Sequence, residues 1–416
     1  MSNKYQCLRG MRDLSLEQSG RISYIERTLE RIAQQYGYAN IQFPILEEAT
    51  LFQKSIGIET DIVGQEMYTF QDKNDQLISL RPEGTAGCLR ACLANGMIQR
   101  QKQKVYYQGP MFRRERPQRG RFRQFQHFGI EVYGYPSGGI DAELILMSHQ
   151  MWQSLGLNHI QLHVNYLGSP ASRVAYRDTL QAYWKEHTSE LTEDERQRAE
   201  NNPLRLLDSK NPSIQSLIDH APSITESLSD DEKQCYQKIL DMLSRHHISY
   251  IESKKLVRGL DYYSDFIFEW ISDDLGSQST ICGGGRYDPL VAAMGHDIPA
   301  IGFAAGVDRI EEIMPKIFSD MPKILFCAAD ESLLTRLERL QQARSNNIIL
   351  DIDYSAGKLK NKMKTAQHKA FDYIAYLQED DQIKVIHFTK DESHHFNISE
   401  FNQWCQSLAT GDHYAS

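Results

Sequence analysis

The first strong pattern is helical. Ile22, Ile25, Leu29, Ile32, Ala33 and Tyr36 recur at helical spacing, which predicts a helix over 15–36 that Gly37 ends. Tyr38 to Pro44 then reads as a strand stopped by proline. Residues 57–70 read as a loop leading into a strand, and Gln76 to Leu80 as a short strand. Arg81-Pro-Glu-Gly-Thr85 is a turn in which Thr85 N-caps a helix running through Ala94. The dominant alternation follows. Lys104 to Gly134 has two apolar-rich arms around an arginine-rich middle, the pattern of two antiparallel strands and a long loop. In the second arm Phe122, Phe128, Ile130 and Val132 share one parity. Arg123, Phe125, His127 and Glu131 share the other, so one face is core and the other carries chemistry. In the first arm Arg113 and Glu115 share a parity, which lets an arginine lie on that same sheet face.

Further on, Asp141 to Gly156 is helical, and 168–250 is polar and mostly helical, an insertion. Leu256 to Trp270 alternates, with Asp261 and Tyr263 on one side and Phe266, Phe268 and Trp270 on the other. Cys282 to Asp288 carries three glycines that let backbone approach a ligand. Ala300 to Gly306 is a small-residue strand, followed by a helix to Met314 with Arg309 in its first turn, where the helix dipole favours a phosphate. Met321-Pro322 marks a boundary. Beyond it, strands Ile324–Cys327, Ile348–Ile352, Tyr373–Leu377 and Val385–Phe388 alternate with helices near Ser332–Ala343, Lys358–Ala370 and Ser399–Leu408, an α/β domain.

The chemistry-bearing face suits a nucleotide beside a small polar molecule. Arginine forks bind phosphate oxygens bidentately, and Phe125 offers a ring to a base. Glu131 is expected to be enclosed, which is costly unless a cation or donors meet it. The other reading is an exposed hairpin with a solvated basic loop. Glu83, at a strand-to-helix corner, either binds a ligand ammonium or is held by the helix dipole at about 0.5 kcal/mol.

Composition narrows the class. A chain of 416 residues, 41% hydrophobic and 24% charged, suits a globular protein of two or three domains. Its net charge of −9 means that nucleic acid must meet local basic patches, of which 113–123 is the densest. The 7 cysteines form no CxxC pair, and Cys88 and Cys92 read as packing. With no apolar leader pattern at the start, they point to a reducing cytoplasm. No apolar run is long enough for a membrane span. His246-His247 and His394-His395 read as surface residues, and no metal site is expected.

Laid out in order, the motifs resemble the histidyl-tRNA synthetases, a family of class II aminoacyl-tRNA synthetases. Pro44 in YANIQFPILEE is similar to motif 1, FRRERPQRGRFRQF to motif 2 and GFAAGVDRI to motif 3. LVRGLDYY (256–263) and GGGRYD (283–288) resemble the two histidine-family signatures, supported by LRPEGT (80–85) and NPLRLLDSK (202–210). The likeness covers Met1 to about Ile313 well and the rest loosely. It implies an α+β fold: a class II catalytic domain over 1–322, an antiparallel sheet flanked by helices with the helical insertion at about 168–250, and an anticodon-binding α/β domain over 323–416.

It also implies a histidine–tRNA ligase, cytoplasmic and homodimeric, using L-histidine, ATP with Mg²⁺, and tRNA(His). Histidyl-adenylate and pyrophosphate form first; the histidyl group then passes to the tRNA 3′ end. By resemblance Arg113 and Arg258 are the catalytic cations at the α-phosphate. Arg121 and Arg309 hold the outer phosphates, Phe125 stacks on adenine and Glu115 contacts the nucleotide. Glu83 and Thr85 match the α-amino contacts. Glu131 and Tyr263 match the imidazole contacts, with Tyr262 and Tyr287 lining that pocket. Gln118 matches the position that reads the extra guanosine of the tRNA.

Two positions depart from the family pattern. Gln126-His127 stands where His-Gln is usual, so the amino-acid contact at 127 becomes an imidazole, whose ordinary pKa places its titration near neutrality. Gln378 to Gln382 is acidic where a glycine-glutamate turn is usual, a poor surface for phosphate. The alternatives are a non-charging paralogue, either a regulatory subunit of histidine biosynthesis or an adenylate-forming enzyme with a different acceptor.

Overall fold

A computed structural model describes all residues except 1–4, 57–61, 100, 119, 210, 257–261, 316–320, 329–339, 341–342, 345–347, 356, 370, 379–381, 391 and 411–416. The chain divides into Met1–Pro315 and Lys316–Ser416. The first unit runs α1 (Leu16–Gln35), β1 (Ala39–Asn40), β2 (Leu46–Glu48), α2 (Ala49–Ile56), β3 (Tyr68–Gln71), β4 (Leu77–Leu80), α3 (Thr85–Ala94), β5 (Gln103–Phe112), β6 (Gln124–Tyr133), α4 (Gly139–Ser154), β7 (Gln161–Tyr166), α5 (Pro170–Glu186), α6 (Glu193–Asn201), α7 (Gln215–His220), α8 (Asp230–Arg245), β8 (Tyr250–Glu252), β9 (Ser264–Ile271), β10 (Thr280–Arg286), α9 (Asp288–Ala293), β11 (Ala300–Gly306) and α10 (Val307–Ile313).

Helix α1 forms where its pattern places it. Ser15 and Gln18 close a reciprocal capping box, and Gly37 follows the last turn at φ +81. Its apolar face, Ile22, Ile25, Leu29, Ile32 and Ala33, is buried. Arg21 donates to the carbonyls of Glu311 and Met314 at 2.6 and 2.9 Å, so a cation sits at the C-terminal end of α10. The strand expected over 38–44 is only β1, two residues paired parallel to Val105 and Tyr106.

The central sheet has the order β1-β5-β6-β11-β10-β9-β7-β8. Its middle is antiparallel, with β1 and β8 added parallel at the edges. The fold class is α+β. The β5–β6 hairpin has the expected core face: Phe128, Ile130 and Val132 are fully buried. Two expectations for that hairpin fail. The second arm becomes strand only at Gln124, so Phe122 leaves the core face; its ring lies under the Arg12 guanidinium, 3.9 Å from the ring centroid. Arg123 leaves the chemistry face and donates to the carbonyls of Glu115 and Arg9, both at 3.2 Å. The three-glycine run lies in strand β10.

Thr85 is not the N-cap of α3. Gly84 holds that position, and the Glu83 carboxylate supplies the capping bonds, accepting from the N–H of Thr85 at 2.6 Å and of Ala86 at 3.0 Å. Backbone bonds join this corner to its neighbours: Arg81 N–H donates to Ile45 O at 2.9 Å, and Phe112 N–H to Arg81 O at 3.0 Å. Between β7 and β8 the chain is helical, α5 to α8.

The second unit contains β12 (Lys323–Ala328), β13 (Ile349–Asp353), α11 (Leu359–His368), β14 (Tyr373–Leu377), β15 (Ile383–His387), β16 (Ser393–Phe396) and α12 (Ile398–Thr410). Its sheet order is β13-β12-β14-β15-β16. Strand β16 escaped the sequence reading because Ser-His-His-Phe on an exposed edge carries no apolar alternation. Most of the expected helix at 332–343 and of the acidic turn at 378–382 lies outside the described residues.

Deep in the first unit, Arg286 forks onto Asp141 with bonds of 2.8 and 2.9 Å, both side chains buried, and also donates to Tyr135 O. Removing one member leaves a buried unpaired charge. Asp141→Ala is expected to lower unfolding free energy by about 3–5 kcal/mol, measured by urea denaturation; a loss below about 1 kcal/mol would show that the pair carries little.

Candidate active site

A cleft of about 330 Å³ opens on the face of the central sheet opposite the Phe128–Val132 core. Its floor exists because small residues fill the middle rows. Across β6, β11 and β10, Gly129 pairs with Ala304, which pairs with Gly283; Glu131 pairs with Gly302. A Cβ on Gly302 would stand 2.0 Å from Glu131 Oε2, and Cβ atoms on Gly129 and Gly84 would meet the Tyr107 ring at 2.1 and 2.2 Å. These glycines admit Glu131 and Tyr107 into the sheet. Phe125, His127 and Glu131 then stand in sequence along one face of β6.

The buried end is built around a carboxyl group. Glu131 is 1% exposed. Tyr287 Oη donates to its Oε2 at 2.6 Å, and Tyr107 Oη to its Oε1 at 3.4 Å. Burial pushes the Glu131 carboxyl up to about 8, against the pull of the Tyr287 hydroxyl. Tyr262 and Tyr263 meet at a tilt of 48°, ring centroids 4.8 Å apart, and Tyr262 meets Tyr287 edge-on at 6.1 Å. Burial also raises Glu83, while the α3 amide donors and Arg113 draw it down.

The other end is cationic. Arg113 donates to Pro82 O at 2.8 Å, and its guanidinium lies 5.5 Å from the Phe125 ring centroid. Glu115 pairs with Arg121 at 2.7 Å and approaches Arg113 at 3.8 Å. Arg309 donates to Gly120 O at 3.2 Å and Thr280 O at 2.5 Å. Burial, with Arg121 nearby, pushes Arg309 down to about 10, so it remains a cation. Arg121 and Gln118 exchange backbone bonds of 2.9 and 3.3 Å, which close the tip of the arginine-rich loop, and Gly120 there has φ +67.

His127 corrects the expectation that it titrates near neutrality. Burial, then the charges of Arg113, Arg309 and Arg81, push it down to about 3. The imidazole is neutral at pH 7, edge-on to Phe125, and its Nδ1 is buried without a hydrogen-bond partner.

The family description "Histidyl-tRNA synthetase" matches residues 10–310. The chain belongs to the histidyl-tRNA synthetase family. It is 44% identical to the histidine–tRNA ligase of Hydrogenovibrio crunogenus over 395 residues, 92% of this chain and 91% of that one. With the histidine–tRNA ligase of Legionella pneumophila it shares 42% over 399 residues, 94% of each chain. The crystal structure of apo S. aureus histidyl-tRNA synthetase matches at a TM-score of 0.75 and 31% identity, covering 97% of this chain and 100% of that chain.

In this member of the family, Glu83, Thr85, Arg113, Glu115, Arg121, Phe125, His127, Tyr262, Tyr263, Tyr287 and Arg309 line one cleft. Glu131 sits behind it, bonded to Tyr287. Gln118 stays in the turn and is not part of that lining. Arg258 lies outside the described residues. The sequence reading missed Tyr107, Glu269 and Asp308. Gly129 and Gly84 were the available signal for Tyr107, since a glycine facing a core position makes room for a neighbour.

A folded pKa of about 8 for Glu131, above its unfolded value, means that the native state holds a proton the unfolded chain releases across that window. Stability from this group is therefore lost as pH rises toward 8. Glu131→Gln, which cannot ionise, is expected to lose less stability than the parent between pH 5 and pH 8.5, read from thermal midpoints. Parallel curves would contradict a protonated Glu131.

Proposed function

We propose that the chain activates L-histidine with ATP and transfers it to tRNA(His), with the cleft residues in the following roles. The observation that carries the reading is one cleft lined by three arginines and an aromatic ring, with a phenol-bonded carboxyl group buried directly behind its wall. Phe125 and Glu131 stand six residues apart on one strand, about 20 Å, a span for a nucleotide and an amino acid laid end to end. Relatives at this identity over nearly the whole chain are ligases, so a non-charging paralogue is not favoured.

Glu131 accepts the substrate ring N–H, with Tyr287 fixing its orientation, and Tyr262 and Tyr263 wall the ring. Glu83 receives the α-ammonium beside Thr85. The neutral His127 satisfies its free Nδ1 on the amino acid's backbone groups. A histidine carboxylate oxygen attacks the α-phosphorus, and the bond to the β-phosphate breaks with its electron pair leaving on pyrophosphate. Negative charge builds at phosphorus between two anions. Arg113 and Arg258 meet it there, and Arg121 and Arg309 hold the outer phosphates. A terminal ribose hydroxyl of the tRNA then attacks the carbonyl, and AMP leaves.

Mg²⁺ would neutralise phosphate charge. Among the described residues no three His, Cys, Asp or Glu gather to hold a metal alone. Glu115 and Glu269 line the cleft and fit an ion that takes one or two carboxylates and finishes its shell with phosphate and water.

Gln118 reads the added guanosine, and the second unit binds the anticodon. A homodimer is supported by the small sheet β2-β4-β3, where Leu46 and Phe70, each 46% exposed, share a mostly apolar face with Tyr68, Ile78 and Leu80, beside Glu48; light scattering at two chain masses tests it. The free cysteines support a reducing, cytoplasmic setting. Among the described residues no helix is long and apolar enough to cross a membrane.

The test is histidine-dependent ATP–pyrophosphate exchange, followed by charging of a minihelix carrying the extra 5′ guanosine. Exchange is expected to need histidine and to fall at least about 100-fold in Arg113→Ala and in Arg258→Ala. No exchange with any amino acid from folded protein would sink the reading. His127→Gln is expected to lower the histidine KM, because an amide both donates and accepts with longer reach; an unchanged or higher KM counts against that role.

A further inference from the structure

The segment from Leu8 to Arg12 lies across the end of the β5–β6 hairpin through several independent contacts. Arg123 N–H donates to Gly10 O at 2.7 Å, and Arg123 Nη1 donates to Arg9 O. Gly10 has φ +87, and a Cβ there would stand 2.7 Å from Arg123 Cδ and 2.9 Å from Pro117 Cγ. The crossing therefore requires glycine. Beyond it, the Arg12 guanidinium covers the Phe122 ring, and Nη2 donates to Asp308 Oδ1 at 2.8 Å. The other Asp308 oxygen accepts Gln126 N–H at 2.5 Å. One carboxylate thus joins the N-terminal segment, the start of β6 and the first turn of α10.

These joints surround the nucleotide end of the cleft. Phe122 and Asp308 both line it. Phe122 follows Arg121, Asp308 precedes Arg309, and Gln126 follows Phe125. Arg12 reaches the cleft through them, with its side chain 20% exposed and that of Asp308 only 7%.

We propose that Arg12 is a positioning residue for nucleotide binding. Through Phe122 and Asp308, the strap at 8–12 holds Arg121, Phe125 and Arg309 in the relative placement that receives base and phosphates. Small misplacements are costly, since about 1 Å can lose about 100-fold in rate. The proposal rests on the ligase reading insofar as the nucleotide is ATP.

The test is calorimetric titration of ATP into the parent, Arg12→Ala and Gly10→Ala, with thermal unfolding of each and with KM values from exchange. The ATP Kd is expected to rise about tenfold in both variants, while the histidine KM stays within about twofold. The Glu131–Tyr287 pocket is untouched by the strap. A purely structural strap would lower the thermal midpoint and the active fraction, but leave the Kd of the folded fraction unchanged. An ATP Kd within twofold of the parent in either folded variant, or an equal rise in histidine KM, overturns the proposal. If Arg12→Ala does not fold, Arg12→Gln, which keeps part of the aliphatic stem but not the cation, is read the same way. A parent that binds ATP but exchanges no histidine overturns the ligase reading alone, and the variant Kd values still decide the strap. A parent that binds no ATP overturns both.

Discussion

A carboxyl group inside a β-sheet is the constraint around which the first unit is built. Glu131 sits where water does not reach, and burial alone makes its ionisation unfavourable. The surroundings answer this in two ways. Gly302 gives the carboxyl its space. Tyr287 and Tyr107 supply hydroxyl donors, and Tyr107 itself fits only because Gly129 and Gly84 lack side chains. The same glycine rows that tolerate the carboxyl also form the floor of the cleft.

The cationic end follows a different logic. Arg113 and Arg121 share Glu115, while Arg309 is held by the carbonyls of Gly120 and Thr280. Positive charge is fixed in direction without being fully neutralised, the condition for stabilising charge that develops on a phosphate. The backbone chain from Ile45 through Arg81 to Phe112 ties the segment before β2 to this end. The region that carries the exposed face of β2-β4-β3 is therefore joined by backbone bonds to the β5–β6 hairpin.

Much of this was legible in sequence. The two-residue alternation of β6 placed Phe125, His127 and Glu131 on one face, and helical spacing placed α1 and the first turn of α10. The two failures at the start of β6 share one cause. Pattern gives parity within an element but not where the element begins, so Phe122 and Arg123, just before β6, were assigned to faces they do not occupy. Thr85 and Glu83 show a second limit: the N–H groups at the start of α3 could be capped from either residue, and only the folded corner selects Glu83. The neutral state of His127 was hidden because its pKa is set by burial and by Arg113, Arg309 and Arg81, which come from separate parts of the chain.

The most direct measurement is equilibrium binding of histidine and of 3-thienylalanine, whose ring has similar shape but no N–H. A buried carboxyl group left without its ring donor should reject the analogue by about 10³-fold or more, and Glu131→Gln should narrow that ratio. Affinities within tenfold of each other in the parent would contradict Glu131 as the source of amino-acid selection.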